Sequence, residues 1–442
     1  MSDLNFPADF LWGTATASYQ VEGAGHEGGR SESIWDAFAR KPGAVYGGEN
    51  GEVACDQYHR YREDAALMAD LGFAAYRFSL AWPRIIPGGT GAVNPEGIAY
   101  YRALCETLHS RGLKACATLY HWDLPQSLQD KGGWTERAVA EAFAAYAEVC
   151  FAELGDLVDQ WITINEPYCV AYLGYYRGVH APGIRDIGAA LKAVHHINLA
   201  HGLAVQAYRK TGLTAPIGIT WNPSTPRPAT ARQEDREAAE TARAVETEVF
   251  IYPVLGRGYP ERVTKRPDLN IPVKPGDLEL IAQKIDFIGV NYYSEYPVAF
   301  DKTALFQYKV LPSWQDTTDM GWPIVPGGLA RQLRWIGEIS GGLPLYITEN
   351  GCAREDYVEA DGRVHDGERI AYLQQHLRVC ADLIREGINL KGYYAWSFMD
   401  NFEWAWGYTK RFGIVHVDYT TQKRTPKDSA YFFRDIIAGY AF

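Results

Sequence analysis

Short apolar segments rich in β-branched and aromatic residues alternate along the chain with longer segments in which apolar residues recur at helical spacing. Eight apolar segments lie at residues 10–18, 74–82, 114–122, 160–167, 216–223, 286–294, 343–351 and 390–401. The helical patterns include residues 59–71, 95–111, 135–154, 187–211, 232–252 and 368–386. Strands that alternate with helices indicate βαβ units and a parallel sheet, and eight such units predict an α/β fold closed into a (β/α)8 TIM barrel.

The connections between these segments predict one domain with long loops at the barrel mouth. A chain of 442 residues is long for one domain, but α/β barrels of this size often form a single unit. There is neither a low-complexity linker nor a tandem repeat, so we predict a single domain over residues 1–442. Segments rich in Gly, Pro and polar residues, such as 41–51, 179–187, 221–231 and 300–328, exceed typical βα loops. We expect residues 300–328 to cover the mouth.

Composition restricts the possible partners and the cellular compartment. The hydrophobic fraction of 47% is typical of a globular protein with a large core, and the net charge of −11 argues against nucleic acid or an anionic membrane as main partner. No run approaches the roughly 18 apolar residues of a membrane helix, and the polar residues 1–9 predict no secretory signal. Seven scattered cysteines without a C-x-x-C pair favour buried thiols in a reducing cytoplasm, not a metal site.

Two further patterns resemble cofactor or metal motifs but lack the necessary context. Gly23, Gly25 and Gly28 match G-x-G-x-x-G, yet the residues that follow are polar and no second strand is predicted before residue 74. His195 and His196 precede His201 by six and five residues, whereas zinc on one helix face requires a spacing of four with a Glu between. We therefore predict neither a cofactor nor a metal, and we expect the histidines to be structural.

Two carboxylates stand where barrel enzymes carry their reacting groups. Glu166 lies at the end of the fourth apolar segment and Glu349 near the end of the seventh. Strands four and seven lie on opposite sides of a barrel, so the two side chains can reach inward to meet. Glycoside hydrolysis requires one acid and one carboxylate, which are ~5–5.5 Å apart in retaining enzymes and ~6.5–9.5 Å apart in inverting ones. The pattern permits either spacing, and Pro167 also allows Glu166 a structural role as a helix cap.

Three ordered motifs carry a family resemblance, at residues 10–24, 163–167 and 347–351. With them the chain resembles glycoside hydrolase family 1, the β-glucosidase family, across essentially its whole length. The resemblance implies a retaining exo-acting enzyme without a cofactor, with Glu166 as acid/base and Glu349 as nucleophile. Its substrates are then small molecules with a terminal β-D-glucosyl residue, such as cellobiose, cello-oligosaccharides and aryl β-glucosides.

The same resemblance implies a set of sugar-binding side chains. They are Gln20, His121, Trp122, Asn165, Asn291, Tyr293, Trp396, Glu403 and Trp404. Asn165 corresponds to the residue that holds the 2-hydroxyl, and Trp396 to the stacking floor beneath the sugar ring. Tyr293 is expected to orient the nucleophile, beside which Arg77 provides a positive charge. Taken singly, several of these side chains are more often core or strand-end residues, as a buried histidine such as His121 usually is.

Some positions depart from the family pattern, and they leave the leaving-group preference open. Tyr168 stands where many relatives carry Trp, and with Trp322, Asn222 and His180 we expect it to line the leaving-group side. Cys352 replaces a larger apolar residue, which predicts only a change in packing.

Glu403 and Glu166 decide between classes of glycoside. The carboxylate of Glu403 would repel a phosphate, so unphosphorylated sugars are favoured, and the presence of Glu166 favours O-glycosides over thioglycosides. The alternatives are a transglycosylating enzyme, a broad-specificity β-glycosidase that also accepts galactosides or fucosides, and a non-catalytic sugar-binding barrel. The last would lack a catalytic glutamate, whereas this chain has both.

Overall fold

The computed structural model describes residues 4–439, so the outermost residues of the predicted domain and the first three of the polar N-terminal segment lie outside it. Eight parallel strands form a closed barrel in which each strand pairs with its neighbour in sequence and the eighth pairs with the first. In chain order they are β1 Leu11–Ala15, β2 Ala75–Ser79, β3 Lys114–Tyr120, β4 Gln160–Asn165, β5 Ile217–Trp221, β6 Phe287–Asn291, β7 Leu345–Asn350 and β8 Leu390–Trp396. The predicted (β/α)8 barrel is confirmed.

Helices cross between consecutive strands on the outside of the barrel. The main ones are Gln57–Asp70, Pro95–Ser110, Arg137–Leu154, Ile187–Thr211, Gln233–Arg243, Val249–Val254, Pro326–Ile339, Gly367–Arg385 and Asp428–Ile437. The predicted helix at residues 232–252 is interrupted by a π-helical turn at Ala244–Glu248. The helices at Pro326–Ile339 and Asp428–Ile437 were not among the predicted patterns.

The predicted mouth loop at residues 300–328 is partly ordered into a sheet. Its strand Tyr308–Val310 pairs antiparallel with Pro297–Phe300, which in turn pairs with Arg227–Pro228. These strands are only two to four residues long, which is too short to show a recognisable alternation of apolar and polar positions.

The barrel strands are buried on both faces. Every residue of β2, β4 and β5 is buried, since one face of each strand points into the barrel and the other packs under the helices. This double burial explains why the sequence shows continuous apolar runs there and not strict alternation. One cluster of buried hydrophobic side chains extends from Phe10 to Ile436.

The histidines and cysteines that could have suggested other chemistry belong to the core. His195 is hydrogen-bonded to Tyr259 and Asp277, and His201 to Thr163, as expected for structural histidines. All seven cysteines are buried free thiols. Within residues 4–439, no cluster of three or more His, Cys, Asp and Glu side chains is arranged to hold a metal ion. Nor does any helix in that range have the length and apolarity needed to cross a membrane.

Candidate active site

The carboxyl-terminal ends of the strands open into a cavity of about 450 Å³. Nine of the eleven predicted site residues line it, and these are His121, Trp122, Glu166, Asn291, Tyr293, Glu349, Trp396, Glu403 and Trp404. The other two, Gln20 and Asn165, lie buried behind this lining and are hydrogen-bonded to residues of the same end of the barrel. The structure therefore brings together side chains that are separated by up to 384 residues in the chain.

Glu349 lies in β7 and is held by a cation and a phenol. One carboxylate oxygen accepts a hydrogen bond from Arg77 Nη1 at 2.7 Å, and the other accepts one from the Tyr293 hydroxyl at 2.6 Å. Arg77 is fully buried on β2, and its remaining donors are directed to Thr118, to the Thr348 carbonyl and to Asn165 Oδ1. The guanidinium is thus fixed in position, and its charge favours the ionised form of Glu349.

The glycine after Glu349 and Asn350 is required by the packing of β7 against β8. A Cβ atom at Gly351 would lie 1.8 Å from the carbonyl oxygen of Trp396, which is far inside contact distance. The close approach couples the end of the Glu349 strand to the end of the strand that presents Trp396.

Glu166 follows β4 directly and has no cationic partner among the ion pairs of the described residues. Its backbone adopts a left-handed conformation with φ of 47°, and its amide donates to the Thr220 carbonyl at 3.0 Å. Asn291 Nδ2 donates to one carboxyl oxygen at 2.7 Å, and the thiol of Cys169 donates to the other at 3.0 Å. A strained backbone held by its surroundings is a common feature of functional sites.

The two carboxylates have unequal surroundings, and this separates their proton affinities. Burial raises the pKa of Glu166 to about 8, and the nearby charge of Glu349 contributes in the same direction. Burial also raises the pKa of Glu349, but the Arg77 charge and the Tyr293 hydrogen bond oppose this effect. Of the pair, Glu166 therefore holds a proton near neutral pH while Glu349 is the carboxylate.

A short chain of hydrogen bonds joins the two carboxylates. Arg77, which is bound to Glu349, donates to Asn165 Oδ1, and Asn291 donates both to Asn165 Oδ1 at 3.1 Å and to Glu166. The side-chain oxygen Oδ1 of Asn291 in turn accepts a hydrogen bond from the hydroxyl of Thr348. The Asn291 amide thus contacts protein groups on both sides and orients Glu166.

Several buried polar atoms around the cavity have no hydrogen-bond partner among the described residues, and three of them belong to predicted sugar-binding residues. These three are Gln20 Oε1, His121 Nδ1 and Glu403 Oε2. His121 Nε2 is paired with the amide of Asn165 at 3.0 Å, so the ring proton lies on Nδ1. Burial lowers the pKa of His121 well below its usual value, which keeps the ring neutral. Because buried polar atoms are normally paired, this group indicates a polar ligand with several hydroxyls.

Aromatic rings surround the same end of the cavity. The Trp396 and His121 rings lie nearly parallel, with centroids 5.9 Å apart, and the Trp404 ring lies 4.6 Å from Trp122. The Trp122 indole N–H donates to the Asn165 carbonyl, so its polar edge is already used. Flat apolar faces next to unpaired donors and acceptors fit a sugar ring, which has apolar faces and a polar rim.

Other lining residues include some that sequence reasoning missed. Tyr168, Asn222, His180 and Trp322 line the cavity, and their place on the leaving-group side stays a prediction. Cys169 and Glu246 also line it, although Cys169 was treated as an inert thiol and Glu246 as part of a regular helix. A spacing of three residues from Glu166 could have identified Cys169, because residues i and i+3 share one helical face. Nothing local marks Glu246, because the π-helical turn that carries it depends on tertiary packing.

Known proteins with the same architecture cover the whole chain. The model of Glycosyl hydrolase family 1 matches residues 2–441. Beta-glucosidase A of Thermotoga maritima is 46% identical over 99% of this chain and 98% of its own length. Beta-glucosidase A of Acetivibrio thermocellus is 44% identical over the full length of both.

Solved structures of similar sequence have the same fold over the whole chain. The Thermotoga maritima family 1 glycoside hydrolase, complexed with a cyclophellitol analogue transition state mimic, superposes with a TM-score of 0.97 at 45% identity over 100% of both chains. The AHE enzyme from Alicyclobacillus herbarius gives 0.96 at 51% identity, over 100% of this chain and 99% of its own. With two buried carboxylates at the mouth of the same barrel, the chain belongs to glycosyl hydrolase family 1 and is a glycoside hydrolase.

Proposed function

We propose that the protein is a retaining, exo-acting β-glucosidase that removes terminal non-reducing β-D-glucosyl residues by double displacement. The observation that carries this proposal is the pair of buried carboxylates with opposite surroundings, Glu349 paired with Arg77 and Glu166 paired only with neutral donors. The names of relatives support it, since they include beta-glucosidases and a 1,4-beta-D-glucan glucohydrolase of Thermotoga neapolitana. We expect cellobiose, cello-oligosaccharides and aryl β-glucosides as substrates.

In the first step, an oxygen of Glu349 attacks the anomeric carbon as the bond to the leaving group breaks. Glu166 donates its proton to the departing oxygen, so the leaving group departs neutral. The products of this step are a glycosyl ester on Glu349 and a carboxylate on Glu166. Arg77 and Tyr293 hold the attacking carboxylate in one orientation before the reaction, which lowers the entropic cost of the step.

In the second step, water replaces the leaving group. Esterification has removed the charge of Glu349, so the pKa of Glu166 falls and its carboxylate takes a proton from the attacking water. The bond between the sugar and Glu349 breaks, and two inversions give net retention of the β configuration. Both residues return to their initial protonation states.

The unpaired atoms of Gln20, His121 and Glu403 are the proposed contacts of the glycone hydroxyls. Burial raises the pKa of Glu403 to about 8, and the charges of Glu349 and Glu166 add to this. Within the described residues no Lys or Arg side chain lines the cavity to receive a phosphate, so the proposed glycone is an unphosphorylated hexose. The ring of Trp396 is the proposed stacking floor.

We also propose a cytoplasmic enzyme made of one domain that acts on soluble products of cellulose degradation. Seven buried thiols without a disulfide support a reducing compartment. The hydrophobic cluster that extends from Phe10 to Ile436 supports a single unit.

Hydrolysis of p-nitrophenyl β-D-glucoside by the wild type, Glu349→Gly and Glu166→Ala tests the proposal. We expect both variants to lose most activity and azide to restore it with opposite products. Azide should give α-glucosyl azide with Glu349→Gly, because it attacks in place of the nucleophile. With Glu166→Ala it should give β-glucosyl azide, because it attacks the ester on Glu349. Undiminished hydrolysis by Glu349→Gly would overturn the proposed roles, and an inactive wild type would overturn the substrate class.

A further inference from the structure

The thiol of Cys169 contacts the carboxyl group proposed as the acid/base. Its sulfur lies 3.0 Å from Glu166 Oε2, and the side chain is buried with only 7% of its surface exposed. The contact is formed within one turn, because the Cys169 amide also donates to the Glu166 carbonyl at 3.0 Å. The π-helical segment Cys169–Gly174 begins at this residue, with Tyr168 between it and Pro167. The thiol is therefore placed by the same local backbone that places Glu166.

A second hydrogen bond determines the direction of the thiol proton. Asn222 Nδ2 lies 3.4 Å from the Cys169 sulfur and donates to it. A thiol has one proton and a weakly accepting sulfur. Since the sulfur accepts from Asn222, its own proton is directed to Glu166 Oε2. This arrangement makes the thiol a donor to the carboxyl group.

Both oxygens of Glu166 thus have a neutral donor. Asn291 donates to Oε1 and Cys169 donates to Oε2. The two donors come from different parts of the chain, Asn291 from β6 and Cys169 from the turn after β4. Two donors fix the plane of the carboxyl group. A neutral weak donor also stabilises the carboxylate without adding a positive charge. A positive charge at this place would prevent Glu166 from holding a proton in the first step.

We propose that Cys169 is a positioning residue for Glu166, which it orients through the thiol hydrogen bond and stabilises as a carboxylate for the second step. The inference rests on the proposed role of Glu166 as acid/base. The direction in which the thiol changes the pKa of Glu166 follows from the chemistry of the donor, because a hydrogen bond to the ionised form favours that form. Loss of the thiol therefore raises the pKa of Glu166 and moves the basic limb of the activity profile to higher pH.

The burial and charges around Glu166 agree with this direction. Burial and the Glu349 charge raise the pKa of Glu166, whereas the hydrogen bonds from Cys169 and Asn291 lower it. The titratable and charged groups that face Glu166 from the other elements are Glu349 in β7, Arg77 in β2, Tyr293 after β6 and Glu403 after β8. None of these is altered by a substitution at Cys169, so a displaced limb reports the lost donor.

The test compares Cys169→Val, which removes the donor at similar volume, with Cys169→Ser, which retains a hydroxyl donor. For kcat/KM on p-nitrophenyl β-D-glucoside, we expect the basic limb of the valine variant to lie higher than wild type by about 0.5 to 1 pH unit. The serine variant should keep its limb at or slightly below that of the wild type. Cys380→Ala, at an equally buried thiol on the outer helix Gly367–Arg385, should leave the limb in place.

A second measurement separates the two chemical steps. With 2,4-dinitrophenyl β-D-glucoside the leaving group needs no proton, so kcat reports the water step in which Glu166 acts as base. We expect Cys169→Val to lower this kcat about 3- to 10-fold, because the carboxylate loses one of two orienting donors. Cys169→Ala provides the same readout if the valine side chain prevents folding, which thermal unfolding would reveal.

The outcomes distinguish failure of this inference from failure of the proposed function. A wild-type profile whose basic limb disappears in Glu166→Ala establishes Glu166 as the titrating group. If that limb then stays unmoved in Cys169→Val and Cys169→Ala, or moves equally in Cys169→Ser, the thiol has only a packing role and the inference is wrong. If Glu166→Ala retains the wild-type limb, the acid/base assignment is wrong, and the inference that depends on it is wrong as well.

Discussion

At the scale of single residues, the neighbours of the two carboxylates determine their different roles. Both side chains are buried, so desolvation alone would raise the pKa of each. Arg77 counteracts this most strongly for Glu349, through a contact of 2.7 Å between buried partners. Its charge also lowers the pKa of Glu166, but less than the hydrogen bonds from Cys169 and Asn291 do. Because the groups interact, the pair should titrate as one coupled system and give a bell-shaped activity profile.

We expect replacement of Arg77 by Met to shift the acidic limb of this profile to higher pH. Without the cation the pKa of Glu349 rises, and the nucleophile is active only above its pKa. The lost charge-assisted hydrogen bond should lower kcat/KM at neutral pH by about 10- to 100-fold. Arg77→Lys, which keeps the charge, should shift the limb less. Steady-state kinetics over the pH range checks this, and an unmoved acidic limb in Arg77→Met would show that the cation does not control Glu349.

At the scale of secondary structure elements, close contacts between strand ends hold the site in register. Glu349 lies in β7 opposite Asn291 of β6, at a bulge in the pairing. Where the end of β7 meets the end of β8, Gly351 approaches the Trp396 carbonyl so closely that a Cβ atom cannot fit. A bulge and a tight glycine contact are typical of positions where a strand redirects a functional side chain.

Substitution of Gly351 by Ala should therefore affect both stability and activity. The clash is with backbone, so β7 and β8 must separate locally, which we expect to lower the free energy of unfolding by about 1–3 kcal/mol. It should also raise KM, because the strand that presents Trp396 moves. Gly367→Ala is the matched control, since a Cβ at Gly367 meets no atom within 4 Å. Denaturant unfolding and kinetics measure the two effects, and equal behaviour of both variants would contradict the role of the contact.

At the scale of the whole molecule, a buried ion network links the C-terminal region to the loop that carries Glu403. Lys427 is fully buried and contacts Asp356 and Asp400, and Asp400 also accepts from Arg411. Burial raises the pKa of Asp400, but the charges of Lys427 and Arg411 outweigh this and leave it below its usual value. A carboxylate with a lowered pKa stabilises the fold above the unfolded-state value and loses this contribution as pH falls through the folded value.

We expect Asp400→Asn to lower the free energy of unfolding at pH 7 by about 3–5 kcal/mol, because the fully buried Lys427 then keeps only Asp356 and Arg411 loses its carboxylate partner. The difference from the wild type should begin to shrink when the pH falls below about 4, the ordinary value for Asp, because the unfolded wild type then takes up a proton that the folded protein does not. Denaturation midpoints at pH 7 and pH 3 provide the comparison. A difference that stays constant between the two pH values would contradict the ionic origin of the stabilisation.

Much of the architecture follows from local pattern. Strands buried on both faces give uninterrupted apolar runs, and an acid directly after such a run must lie at the mouth of the barrel, so Glu166 and Glu349 were predictable from sequence. The family motifs then predicted the remaining site residues. The mouth sheet, the π-helical turns and the place of Glu246 in the cavity lining were not predictable, because each depends on packing between segments far apart in the chain. The spacing of three residues could place Cys169 beside Glu166, but the direction of its thiol proton depends on Asn222, 53 residues further along the chain.

The sequence by itself determined the barrel and the positions of the two glutamates, because both follow from which residues are apolar and which polar residues come next. The family resemblance implied that Glu166 is the acid and Glu349 the nucleophile, but only the tertiary structure gave the physical reason why Glu166 holds the proton. The physical reason is Arg77, 272 residues before Glu349 in the chain, whose charge favours the ionised form of Glu349. Electrostatic and hydrogen-bond energies depend on distance in space, and only folding determines those distances.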